Sequence, residues 1–224
     1  MCTVTFIPTS SGFVITSNRD ESVARKRALA PIEYEINGCK ITFPKDPQAG
    51  GTWIAKSDSK VIVLLNGAAE KHQIKPFYRK SRGLIVLELT SSENSLKHWE
   101  TIDLNSIEPF TIILFENDKL HQLQWNEVEK SQIELDIKSP HIWSSSTLYS
   151  KEIRTKRAEW FAKFMAENQN PEAKAILDFH QFTENKNPEY GLQINRNNEL
   201  KTISITQCLV TTQEITMSYL DLIA

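Results

Sequence analysis

Glycine is scarce in this chain, with 7 among 224 residues, and none falls into the Gly-x-x-x-x-Gly-Lys or Gly-x-Gly-x-x-Gly spacing that cradles phosphates. Nucleotide cofactors held by such loops are therefore not expected, nor is any other cofactor. Cysteine is scarcer still. Cys2, Cys39 and Cys208 are odd in number and far apart, which argues against a disulfide framework or a zinc cluster and fits a reducing, cytoplasmic compartment. The 5 histidines, at 72, 98, 121, 141 and 180, show neither His-x-His nor His-x-x-x-His spacing, so no metal is expected. No apolar run approaches the roughly 18 residues that span a bilayer. The short apolar start also lacks the basic region and cleavage site of a secretory leader, so neither a membrane span nor a leader is expected. An excess of charge is missing as well. The formal net charge is -2 and the pI about 6.2, which makes nucleic acid an unexpected partner, and Arg25-Lys26-Arg27 reads as a solvated loop.

What is present is enough apolar content, 40%, to bury one good core, and no linker-like shift in composition divides the chain. A single domain over 1–224 is expected. Strand signals outnumber helical ones. β-branched and apolar runs predict strands over Cys39–Phe43, Thr52–Lys56, Lys60–Asn66, Phe110–Glu116, Lys119–Trp125, Gln132–Ile137, Leu200–Ile205 and Leu209–Met217. Helical spacing predicts one block over Arg82–Trp99, broken near Ser91-Ser92. A second opens at Ser150 as a cap, with Ile153, Trp160, Phe161, Phe164 and Met165 on one stripe. Pro171 is expected to open a third helix reaching Phe179. Cys39 and Cys208, within strand-like runs, read as packed core thiols.

The chemistry gathers at the N-terminus. Cys2-Thr3-Val4-Thr5-Phe6-Ile7 and Phe13-Val14-Ile15-Thr16-Ser17 flank Pro8–Gly12 and read as a hairpin with a five-residue loop. Pairing Ile7 with Phe13 would put Cys2 opposite Asn18 and bring the polar run Asn18-Arg19-Asp20-Glu21 beside the cysteine. If an aminopeptidase removes Met1, Cys2 carries a thiol and a free α-amino group on one residue. With pKa values of roughly 8.5 and 7.7–8.0, nucleophile and base then sit together. Without that chemistry, Cys2 is an ordinary thiol and the tetrapeptide an ordinary turn.

Three motifs in order carry a resemblance: Met1-Cys2-Thr3, Asn18-Arg19-Asp20-Glu21, and Gly50-Gly51-Thr52-Trp53-Ile54 followed by Leu64-Leu65-Asn66. Together they resemble the transport and Golgi organisation protein two (NRDE) family, most strongly over residues 1–90. That family is similar, at greater distance, to the N-terminal cysteine amidases of the choloylglycine hydrolase and penicillin V acylase group. The resemblance implies an α+β fold, a four-layer αββα sandwich of the N-terminal-nucleophile-hydrolase type. It implies Cys2 as nucleophile, with Arg19 favouring the thiolate and Asp20 accepting from the α-ammonium.

In the amidases a strand ending in asparagine serves the oxyanion. Asn66 and the Gly67 amide match it here, although Asn-Gly is also a common turn. A second donor asparagine is matched by Ser145, in His141-Ile142-Trp143-Ser144-Ser145, with Trp143 and Asn18 as candidate lining residues. No late arginine aligns in Thr202–Gln207. The function so implied is hydrolysis of a linear, non-peptide amide through a cysteinyl acyl intermediate, with a small molecule as substrate. The alternative is a non-enzymatic member of the family that binds or traffics a haem-like or lipid-like metabolite, with a role in secretory organisation in its eukaryotic relatives.

Overall fold

The computed structural model describes residues 3–223. In chain order the elements begin with β1 (Thr3–Thr9), β2 (Gly12–Ser22), β3 (Leu29–Ile36), β4 (Cys39–Lys45), β5 (Ile54–Lys56) and β6 (Lys60–Asn66). Two short helices follow, α1 (Arg82–Thr90) and α2 (Ser95–Thr101), then β7 (Phe110–Glu116), β8 (Lys119–Trp125), β9 (Lys130–Leu135) and β10 (His141–Ser144). The last part holds α3 (Lys151–Glu167), α4 (Ala173–Phe182), β11 (Asn195–Arg196), β12 (Leu200–Val210) and β13 (Ile215–Asp221). These residues divide into two compact units, one from 3–25 and 137–223, the other from 26–136.

In the first unit the sheet order is β10-β1-β2-β12-β11, and β13 also pairs β12. The N-terminal strand therefore lies inside the sheet, bonded on both edges. α4 packs on β2 and β12 and α3 on β10, closing a core of Ile7, Val14, Phe161, Ile176, Phe179 and Leu192. Ser150 caps α3 as expected, its hydroxyl accepting from the Ile153 amide. The proline-led start of α4 did not form: the helix begins at Ala173 after Glu172, beyond Pro171.

The second unit is a seven-stranded antiparallel meander, β3 through β9 in sequence order. α1 packs on β5 and β6, and Trp99, Phe110, Ile112, Leu114 and Leu123 are among its core residues. The helical block breaks where expected, since α1 ends at Thr90 and Asn94 caps α2. At the break a buried Lys60 bonds the Glu116 carboxylate at 2.8 Å. The Ser95 amide and hydroxyl donate to that carboxylate as well, so neither charge is stranded. The Gly50-Gly51 motif allows a close approach: a Cβ on Gly51 would meet the Gly83 backbone at 2.4 Å, and one on Gly83 the Thr52 carbonyl at 2.7 Å. One stretch, 71–82, does gather cations with Phe77 and Tyr78, but Lys75, Arg79, Lys80 and Arg82 are paired with Glu127, Asp103, Glu88 and Glu108.

Candidate functional site

Thr3, the residue after Cys2, is held on every side. Its backbone pairs Asn18 on one edge and Ser144 on the other, its exposure is 0%, and its hydroxyl accepts from Arg157 Nη1. Cys2 itself lies outside the described residues. The hairpin register differs by one from expectation. Pro8 pairs Phe13 and Thr9 pairs Gly12, which leaves a two-residue turn at Ser10-Ser11 and sets Asn18 opposite Thr3. The five-residue loop was wrong because Pro8 stays in the strand as its last residue but one.

On the helix-covered face of the sheet, Arg157 organises a buried network. Its guanidinium donates to the Tyr190 carbonyl at 3.1 and 3.2 Å, to the Gly191 carbonyl and to Thr3. It also lies 3.6 Å over the Tyr149 ring. The Tyr149 hydroxyl donates to Asp20 Oδ2 at 2.5 Å, and the Thr202 hydroxyl to Asp20 Oδ1 at 2.5 Å. The register of β12 against β2 shifts between Thr202 and Ser204. This bulge turns the Thr202 hydroxyl onto the Asp20 side and Ser204 onto the Arg19 side.

Asn18, on the same face, donates to the carbonyls of His180 at 3.2 Å and Leu192 at 2.7 Å. Its Oδ1 must then accept from His180 Nδ1, at 2.7 Å, so Nε2 accepts from the Thr5 hydroxyl at 2.8 Å. Burial first, and the Arg157 charge second, push the His180 pKa down to about 3, which keeps the ring neutral. Asn18 was expected to touch substrate. It is corrected here to a packing residue, since both its amide protons and its carbonyl are used internally.

Neighbouring residues of a strand point to opposite faces, so Arg19 and Asp20 address different sides of the sheet. Arg19 is buried, its guanidinium 3.5 Å from Glu21. In register with it stand Ser204 and, two residues away, Ser17 beside Thr206. Ser145 follows Ser144, the partner of Thr3. It is buried and bonds the Thr147 hydroxyl at 2.9 Å. Trp143 pairs Val4 and stacks on His141 at 5.6 Å.

In the other unit, Asn66 ends β6 opposite Phe110. Gly67 has a φ of 84°, as a turn requires. Its N–H donates to the Pro109 carbonyl at 3.0 Å, so the expected oxyanion donor is already engaged, and Gly67 is corrected to a turn residue. Among the described residues no three His, Cys, Asp or Glu side chains gather to hold a metal. No helix among them is long and apolar enough to cross a membrane.

Tyr149, Arg157, His180 and Thr202 were not foreseen as site residues. Arg157 did leave a signal, falling between Ile153 and Phe161 at four-residue steps on the buried stripe of α3.

A family model described as Transport and Golgi organisation 2 matches residues 1–218. No curated protein matches the chain. Among solved structures, a variant of conjugated bile acid hydrolase from Clostridium perfringens is similar with a TM-score of 0.58 at 10% identity, over 98% of this chain and 92% of that one. A mutant of Anbu from Hyphomicrobium sp. strain MC1 matches with a TM-score of 0.47 at 10% identity, over 100% of this chain and 89% of that one. The likeness to the bile acid hydrolase shows the N-terminal-nucleophile-hydrolase-like fold, the αββα class expected from the sequence.

Proposed function

Since the chain belongs to the Transport and Golgi organisation 2 family and has a hydrolase-like fold, we propose that it is a cysteine hydrolase acting on a linear, non-peptide amide of a small molecule. Removal of Met1 frees the α-amino group of Cys2. That amine takes the thiol proton as the sulfur attacks the carbonyl carbon, and returns it to the leaving amine as the carbon–nitrogen bond breaks. Water then hydrolyses the cysteinyl thioester.

Asp20, a buried carboxylate held by Tyr149 and Thr202, orients the ammonium. Arg19 favours the thiolate by its fixed charge. Ser145 serves the oxyanion, with Trp143 lining the substrate. The carrying observation is the anchoring of Thr3. Chain termini fray unless tied down, whereas this one is paired on both edges and bonded by a buried arginine up to the residue after the nucleophile.

The test is intact mass of the purified protein together with hydrolysis of a panel of N-acyl amides. Loss of Met1 and turnover that vanishes in Cys2→Ala support the reading. A retained Met1, or a wild type that matches Cys2→Ala on every amide, overturns it in favour of a non-enzymatic binding protein.

A further inference from the structure

Trp160, Phe164 and Glu167 follow one another on α3 at steps of four and three residues, the spacing that shares one face of a helix. With Asp178 and Phe179 of α4 they line a cleft of about 420 Å³ in the first unit, within the roughly 300–1,000 Å³ typical of small-molecule sites. Ala175 of α4 lines it too, and its short side chain leaves room that a larger residue at that step would fill. Phe179 is buried, with its ring 4.7 Å from that of Phe164. Trp160 and Phe164 are only half-buried, so the apolar wall of the cleft is aromatic surface. None of these residues has a part in the mechanism above.

The charges at the cleft are unequal. Among the described residues, the carboxylates of Glu167, Asp178 and Glu184 line it together with one ammonium, that of Lys163. Lys163 stands 4.0 Å from Glu167 and both are largely exposed, a setting in which an ion pair is weak. Asp178 takes Lys174 from outside the cleft, and Glu184 pairs with no cation among the described residues. An anionic ligand would meet this excess of carboxylates, and a neutral apolar one would leave it unanswered. The faces of tryptophan and phenylalanine rings are themselves partly negative and attract cations, so the aromatic wall and the carboxylates select the same ligand. We propose that the cleft between α3 and α4 binds a small organic ammonium ion, held by the rings of Trp160 and Phe164 and by the charge of Glu184. This site does not depend on Cys2 or on the reaction proposed for it.

Benzyltrimethylammonium, with benzyl alcohol and phenylacetate as its neutral and anionic counterparts, tests this on the full chain near neutral pH. The reporter is the indole N–H signal of Trp160 in the NMR spectrum, identified by its loss in Trp160→Phe. It should shift saturably with the ammonium, with a Kd on the order of 1 mM for so small a ligand. Benzyl alcohol should bind about tenfold more weakly, the scale of a cation–π contact joined to a carboxylate, and phenylacetate not at all. Ala175→Leu, which fills the cleft with another good helix former, should abolish the shift. Glu184→Gln, at an exposed position, should weaken the ammonium about threefold and leave benzyl alcohol unchanged. Melting temperatures matching wild type confirm that the variants fold, and the surface substitution at Glu184 decides should the one at Ala175 not. A Trp160 signal that ignores the ammonium, equal affinities for the ammonium and the alcohol, or undiminished ammonium binding in either folded variant overturns the site.

Discussion

The guanidinium of Arg157 donates to the hydroxyl of Thr3 across a separation of 154 residues, joining the middle of α3 to the start of the first strand. Arg157 is fully buried; its donors are used on two main-chain carbonyls and on Thr3, and its planar face lies over the Tyr149 ring. An ammonium group cannot make that set at once. Arg157→Lys should therefore cost about 3 kcal/mol of stability, the scale for stranding buried acceptors. Urea unfolding measures the loss, and an unchanged midpoint would remove the arginine from this account.

His180 gives the fold a defined response to acid. Its folded pKa, about 3, lies below the ordinary histidine value of roughly 6.5, so below that value the unfolded chain takes a proton that the folded one refuses. The stabilisation is complete above pH about 6.5 and is lost as pH falls toward about 3, amounting to about 2 kcal/mol by pH 5. Unfolding free energies at pH 7 and pH 5 should differ by that amount in the wild type, and by clearly less in His180→Gln.

Gly83 sits in the first turn of α1, where alanine ordinarily gains up to about 1 kcal/mol. Here the added carbon would lie 2.7 Å from the Thr52 carbonyl and 2.9 Å from its nitrogen, and overpacking against main chain costs about 1–3 kcal/mol. Repulsion wins, so Gly83→Ala should lower the melting temperature. A rise would mean the two backbones do not meet.

Ser145 carries the oxyanion part of the proposal. A lost donor of this kind costs about 10²–10³ in rate, so Ser145→Ala should reduce kcat by that factor with little change in stability. Ser145→Asn should keep or raise it. Unchanged kcat in Ser145→Ala would leave this serine a packing residue that bonds Thr147.

Strong periodic runs were legible in the sequence: β6 to β8, the two short helices and the stripe of α3 all stand where apolar spacing puts them, and the first hairpin forms with its register one residue from expectation. Polar residues used internally were not. The strand over Leu200–Ile205 was expected to end before Thr206-Gln207, yet β12 runs on to Val210 and β13 begins only at Ile215. Gln207 stays inside because it donates to Thr16 at 3.0 Å and to the Ala173 carbonyl at 3.1 Å. β2 likewise continues through Asn18–Ser22, where the polar run reads as a turn. β3 was missed because its side chains are largely exposed and Pro31 interrupts its pattern. At the candidate site the sequence pointed to Asn18, Arg19 and Asp20, but the buried partners of Asp20 come from 129 and 182 residues away. Local spacing carries no trace of such pairings.

Turnover by this mechanism acylates Cys2. The most direct measurement is mass spectrometry of the protein quenched in acid during turnover of an N-acyl amide, followed by peptide mapping. A mass increase equal to the acyl group is expected, located on an N-terminal peptide that begins at Cys2 and absent in Cys2→Ala. An unmodified Cys2 during demonstrable turnover, or the acyl group on Cys39 or Cys208, would contradict it.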